Sequence, residues 1–190
     1  MNFNAKRYII FLISLLVILV GLDQLSKYWA ATYLQGRDAI PVISGVFELH
    51  YLEGGNTGAA WGLFSGKVNL FIIVTIVILS IFAVIFYKII TYCKTTDDKN
   101  GIKKAKKLLF ALILISAGAI GNFIDRIHLN YVIDFLYFKL IDFPIFNLSD
   151  SYVTIGAVLL IILILFVLKE NDIDAIFPSP KKDKGKKYYE

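Results

Sequence analysis

The stretch VNLFIIVTIVILSIFAVIFYKIITY, residues 68–92, decides the class of this chain. Lys88 is its only charged residue, and Ile, Val and Phe fill most of the rest. A helix that crosses a bilayer needs about 20 mostly apolar residues, so Val68–Tyr92 is predicted to span a membrane. The composition agrees. The chain is 57% hydrophobic and 18% charged, against about 45–50% and about 25% in a soluble domain.

Three further runs flank this span. Tyr8–Leu22 is short by itself, and with Lys6 and Arg7 in front it resembles a cleaved leader. However, Asp23, Gln24, Ser26 and Lys27 follow at once, and bulky Trp29 stands where a cleavage site wants a small residue. A helix continuing to Trp29 has full spanning length. Leu108–Ile124 carries Ala117, Gly118, Ala119 and Gly121, residues that let backbones approach closely, so it is expected inside the bundle. Tyr152–Leu168 is the fourth span. The predicted fold class is a membrane α-helical protein of four transmembrane helices, spans about 8–29, 68–92, 108–124 and 152–168. One domain is expected over residues 1–170, followed by a Lys-rich cytoplasmic tail at 171–190.

The net charge is +5, and the basic residues gather at the ends of the spans. Lys6 and Arg7 precede the first, seven lysines from Lys88 to Lys107 end or follow the second, and six from Lys169 to Lys187 follow the fourth. That is fifteen of the 20. By the positive-inside rule both termini are expected in the cytoplasm, with the segments Asp23–Lys67 and Asp125–Asp150 outside. The pattern is one of topology. It lacks the basic face with interleaved aromatics of a nucleic-acid binder. The tail reads as solvated, and attraction to anionic membrane lipids is worth about 1 kcal/mol per basic residue near the surface.

The outer segments hold what is left. Phe47-Glu48-Leu49-His50-Tyr51 alternates apolar and polar, as a half-buried strand does, and Gly54-Gly55 marks a turn. Val132–Phe138 is β-branched and aromatic, and is expected to pair with it in a small sheet on the membrane surface.

The polar residues of these segments are the candidates for chemistry. Asn122, Asp125 and Arg126 share one helix face at i, i+3, i+4. Asp134 lies between Ile133 and Phe135. Asp150 opens the fourth span after Asn147-Leu148-Ser149, where a helix dipole favours an acid. Ionisable groups in such apolar surroundings are costly and mark function. Two carboxylates brought close cannot both ionise cheaply, so one proton is shared, the state aspartic peptidases use. Asp150 is expected to ionise first and Asp134 to hold the proton. Other hydrolytic schemes are thin. Cys93 is the only cysteine, His50 and His128 are the only histidines, and neither a zinc-protease spacing nor a GxSxG elbow occurs. No metal and no cofactor are expected. A small proton-coupled carrier is the alternative, since intramembrane acids serve it too. It wants polar groups through the bilayer depth, whereas these gather at one surface.

Five ordered motifs then resemble a known family. They are Asp23-Gln24-Leu25-Ser26-Lys27, Asn56-Thr57-Gly58-Ala59-Ala60, Gly121-Asn122-Phe123-Ile124-Asp125-Arg126, Val132-Ile133-Asp134-Phe135, and Phe143 to Ser151 through Asn147-Leu148-Ser149-Asp150. From Asp23 to about Gly156 the chain resembles lipoprotein signal peptidase, the bacterial signal peptidase II family of intramembrane aspartic peptidases. The resemblance implies four transmembrane helices, a β-cradle on the outer membrane surface and a dyad of Asp134 and Asp150. It also implies support or substrate binding by Asp23, Lys27, Asn56, Gly58, Asn122, Asp125, Arg126 and Asn147. The implied partner is a prolipoprotein whose cysteine already carries diacylglycerol, cut before that cysteine, at the outer face of the bacterial inner membrane. No oligomer is required. Ser149 stands where the family usually has Ala, and its hydroxyl is expected to add a hydrogen bond near Asp150. Trp61 stands where Phe is usual.

Overall fold

The computed structural model describes residues 4–58 and 66–178. Trp61 and the Ala59-Ala60 pair of the second motif lie outside the described residues, as does the tail from Ser179. Four helices are long and apolar enough to cross a membrane: α1 (Ala5–Tyr33), α2 (Val68–Thr95), α3 (Lys99–Leu129), and α4 (Leu148–Ile162) with its continuation to Val167. The spans read from hydropathy match these helices but are shorter than each of them, and the fourth runs one residue past Val167. The largest difference is at α3, which begins nine residues before Leu108. Lysine is a good helix former, so the run from Lys99 to Lys107 is helical although it is not apolar. Asp98 caps this start by accepting from the Asn100 N–H at 2.9 Å.

α3 is the centre of the bundle, as its small residues predict. It packs against α1, α2 and α4, whereas those three helices turn apolar side chains such as Val17, Ile73 and Ile161 outward. The approach of α3 to α4 is close enough to exclude a methyl group. A Cβ on Gly118 would run into the Ser149 carbonyl, and one on Gly156 would lie 2.9 Å from the Ala111 carbonyl oxygen. At the lysine-rich end, Leu12, Ile89, Cys93, Leu109 and Leu112 form a core. A short helix, α5 (Glu170–Ile176), closes that end by burying Ile176 in the same core. Asp172 of α5 meets Lys104 of α3 at 2.6 Å. Hydropathy gave no sign of α5, which lies in the segment read as tail. Its anchors are Ile176, the ion pair of Asp172, and Phe177 at its C-terminal end, which packs on the same core.

The opposite end carries a three-stranded antiparallel sheet in the order β1-β2-β3, with β1 at Ile40–Ile43, β2 at Phe47–Leu49 and β3 at Leu136–Tyr137. β2 and β3 come from the two stretches expected to pair, with Glu48 opposite Tyr137 and Leu49 opposite Leu136. β1 was not expected. Ile40-Pro41-Val42-Ile43 shows no alternation because all four residues are exposed, and its proline suits an edge strand. Two bridges extend the sheet towards the helices, Asn56 with Val132 and Leu136 with Phe146. Between these bridges the chain delivers Asp134 to the bundle.

Candidate active site

α4 begins with Asn147 and Asp150 capping each other. The Asn147 Oδ1 accepts from the Asp150 N–H at 3.0 Å, and the Asp150 Oδ2 accepts from the Asn147 N–H at 3.2 Å. This reciprocal box satisfies two backbone donors of the first turn. It also fixes the Asp150 carboxylate without a long flexible stem. The remaining Asp150 oxygen, Oδ1, accepts from the Asn122 Nδ2 at 2.8 Å.

Asp134 is held from the other side. The bridge between Asn56 and Val132 brings the Asn56 Nδ2 to 2.9 Å from its Oδ2. The Asn147 Nδ2 lies 2.6 Å from its Oδ1. The two carboxylates therefore share Asn147, whose side chain bonds Asp134 while its backbone and Oδ1 bond Asp150. Each of the four carboxylate oxygens accepts one N–H. Asp134 is only 1% exposed. Burial, and next the negative charge of Asp150, push its pKa up to about 7, and the hydrogen bonds from Asn56 and Asn147 only partly oppose this.

Behind the asparagines lies a buried ionic cluster. Lys27, 1% exposed, sits 2.9 Å from Asp23 and 3.0 Å from Asp125. It donates as well to the Asn122 Oδ1 at 2.9 Å. Each carboxylate of this cluster has a second task. Asp23 Oδ1 accepts from the Ser149 N–H at 2.9 Å, joining α1 to the start of α4. Asp125 Oδ2 accepts from the Ile133 N–H at 3.1 Å, fixing the segment before β3 that carries Asp134. Breaking a buried pair of this kind by removing one partner costs about 3–5 kcal/mol, because the other charge is left uncompensated.

The structure thus places eight of the ten candidate residues in two groups, with Gly58 and Arg126 bonded to each other beside them. Asn56, Asn122, Asn147, Asp134 and Asp150 form one hydrogen-bonded unit. Asp23, Lys27 and Asp125 stand behind it, and they do not line the cleft described below. Asp125 and Arg126, neighbours on one helix face in the sequence, turn to different partners. Arg126 donates from Nη2 to the Gly58 carbonyl at 3.2 Å and lies 4.8 Å from the Phe71 ring centroid. Gly58 in turn donates its N–H to the Asn56 Oδ1 at 3.0 Å.

Two residues were missed by sequence reasoning. Gln24 donates to Asp23, Asp125 and the Gly121 carbonyl at 3.0–3.2 Å. Its place inside the first motif was the available signal. Phe71, in an unbroken apolar run, offered none. One expectation is corrected. The Ser149 hydroxyl makes no hydrogen bond to Asp150; it is buried against Gly121 and has no partner among the described residues.

A cleft of about 690 Å³ opens beside this unit. Asn56, Asn122, Arg126 and Asp150 form its polar end, and Phe138, Phe143, Ile145, Phe146 and Val153 line an apolar remainder. Of the two carboxylates Asp150 lines this space, and Asp134 is buried behind it, joined to it through Asn147.

Comparison with known proteins agrees with these features. A family model described as signal peptidase (SPase) II matches residues 15–166. A lipoprotein signal peptidase of Streptococcus thermophilus is 40% identical over 149 residues, 78% of this chain and 88% of that protein. One from Lactobacillus johnsonii is 38% identical over 168 residues, 88% of this chain and 99% of that protein. A solved bacterial membrane enzyme, determined by the in meso method at 2.3 Å resolution, is 34% identical with a TM-score of 0.63, covering 82% of this chain and 87% of that one. A second, at 1.9 Å, is 35% identical with the same TM-score, covering 83% and 94%. The four apolar helices, the small sheet and these matches together identify a multi-pass membrane protein that belongs to the signal peptidase II family.

Proposed function

We propose that this chain is an intramembrane aspartic endopeptidase that removes the signal peptide from diacylglyceryl-modified prolipoproteins, cutting before the lipidated cysteine. The observation that carries this reading is the pairing of Asp134 and Asp150 through Asn147, with Asp150 at the polar end of an apolar cleft. The pair shares one proton, assigned to Asp134, whose pKa burial pushes up to about 7, and the charge is assigned to Asp150, which accepts from the Asn122 Nδ2 and the Asn147 N–H at the start of α4. Asp150 takes a proton from a water molecule as that water attacks the scissile carbonyl carbon. Asp134 gives its proton to the carbonyl oxygen. The tetrahedral intermediate then collapses: Asp150 gives the proton it took to the leaving amine nitrogen of the cysteine as the C–N bond breaks, and Asp134 recovers a proton from a hydroxyl of the intermediate as the carbonyl re-forms. The products are the signal peptide carboxylate and a lipoprotein with a free N-terminal cysteine. Neither a nucleophilic side chain nor a metal takes part.

The membrane supplies the substrate. The apolar core of a signal peptide and the two acyl chains lie in lipid, and the cleft's walls of Phe143, Ile145 and Val153 match them. The orientation follows from charge. Lys99–Lys107 begin α3, and Asn122 and Asp125 lie near its other end. The helix has 31 residues, about 46 Å at 1.5 Å per residue. With the lysines in the cytoplasm, both termini are cytoplasmic and the dyad lies at the outer face of the bacterial inner membrane. A carrier is disfavoured because the polar groups form one unit at one end of the bundle. The proposed chemistry is complete within one chain.

The test is cleavage of a diacylglyceryl-modified precursor by purified enzyme. Asp134→Asn and Asp150→Asn are each expected to abolish product while the helical circular dichroism is retained. Turnover near the wild-type rate by either folded variant overturns the dyad.

A further inference from the structure

The three asparagines around the carboxylates share one orientation. Asn56, Asn122 and Asn147 each point Nδ2 at a carboxylate oxygen, at 2.9, 2.8 and 2.6 Å. Each also has its Oδ1 pinned by a donor that cannot accept. For Asn56 it is the Gly58 N–H at 3.0 Å, and for Asn147 the Asp150 N–H at 3.0 Å. For Asn122 it is the Lys27 ammonium at 2.9 Å, with the Asn147 Nδ2 beside it at 3.1 Å. An amide can turn over and exchange its oxygen and nitrogen at little steric cost. A lysine has three donors and no acceptor, so a buried Lys27 leaves only one orientation for Asn122.

We infer that Lys27 is a positioning residue, which locks the Asn122 amide so that it offers an N–H to Asp150. This goes one step beyond the peptidase reading and rests on it. With the lock in place, a hydrogen bond stabilises the ionised carboxylate. Without it, only the longer bond from the Asn147 Nδ2 holds the Asn122 oxygen, and that Nδ2 is already engaged by Asp134, so the amide gains a second orientation that turns its oxygen towards Asp150 and favours the protonated acid. The pair then carries its proton to higher pH, and the active one-proton form is reached later on the pH scale.

Charge must be separated from orientation. The groups facing the pair are Asp23 and Lys27 from α1, and Asp125 and Arg126 from α3. Loss of the Lys27 charge also disfavours ionisation directly. A double-mutant cycle distinguishes the two routes. If Lys27 acts through Asn122, removing the amide first leaves Lys27 little further effect. If it acts by charge alone, the two effects add.

The experiment measures kcat/KM against pH for wild type, Lys27→Met, Asn122→Ala and the double variant. Lys27→Met is expected to move the acid limb up by about one pH unit, roughly the loss of one charge-assisted hydrogen bond. In Asn122→Ala the further change on adding Lys27→Met is expected to fall below half of that. Additive shifts, or a Lys27→Met profile that is lower but not displaced, overturn the inference. Because Lys27→Met exposes two carboxylates to an unpaired interior, Lys27→Met/Asp125→Asn is run beside it as a less charged background. A variant without turnover is read by infrared titration of the protonated carboxyl stretch, taken as the difference from the matching Asp134→Asn protein. There too a displacement present with Asn122 and absent without it supports the inference, and one indifferent to Asn122 overturns it. The peptidase reading fails separately, by turnover in Asp134→Asn, and leaves this titration readable.

Discussion

Ser149→Ala is expected to stabilise the protein. Ser149 is fully buried at the first turn of α4, and its hydroxyl oxygen has no hydrogen-bond partner among the described residues. A buried polar group left unsatisfied costs about 1–3 kcal/mol. The backbone contribution of the residue is separate, because the bond to Asp23 comes from the Ser149 N–H and survives the substitution. Against the gain stands the small space left by one oxygen. At about 24 cal/mol per Å³ of residual cavity, that is a few tenths of a kcal/mol. The net expectation is a stabilisation of about 1 kcal/mol. The assay is unfolding in mixed micelles with increasing sodium dodecyl sulfate, followed by circular dichroism, with the same slope for both proteins. A loss of 1 kcal/mol or more in Ser149→Ala refutes the reasoning, for it means that the hydroxyl is bonded in the folded protein.

The same corner yields a second expectation. A Cβ on Gly121 would collide with the Ser149 hydroxyl and lie 2.5 Å from Asp23 Oδ2, so Gly121→Ala lowers stability by about 1–3 kcal/mol, and Gly121→Ala/Ser149→Ala recovers part of it in the same assay; equal stability of the single and double variants contradicts the contact. Asp134 supplies a third. Its raised pKa means that the folded protein binds more protons than the unfolded chain between about pH 4 and 7. Stability therefore falls as pH rises through that window, with a slope of up to about 1.4 kcal/mol per pH unit, and is level above it with respect to this group. Asp134→Asn flattens the segment, and an unchanged slope in that variant removes Asp134 as its source.

The helices were legible in the sequence because a bilayer imposes a length and an apolar composition. Their ends were not, because hydropathy says nothing about a lysine-rich turn such as Lys99–Lys107 or a cap such as Asn147. β2 and β3 were legible from alternation and β-branching. β1 was not, since a strand exposed on both faces has no alternation to show. The polar residues of the site announced themselves as costly groups in apolar surroundings. Their wiring did not. Asp23 and Asp125 are 102 positions apart, and only the packing of α1 on α3 puts one lysine between them. The unbonded hydroxyl of Ser149 belongs to the same class of fact, because the sequence expectation of an added bond depended on a direction that only the neighbours decide.

The reciprocal cap of Asn147 and Asp150 has a consequence for biogenesis. A residue of the box that starts α4, Asp150, is also the residue proposed to activate water. A nascent chain whose last membrane helix has not wound its first turn holds that carboxylate in no fixed direction, and Asn147 is not in place to join it to Asp134. On the proposed reading, proteolytic competence arrives with the final step of assembly. A bilayer full of other signal sequences is thereby spared a half-built protease.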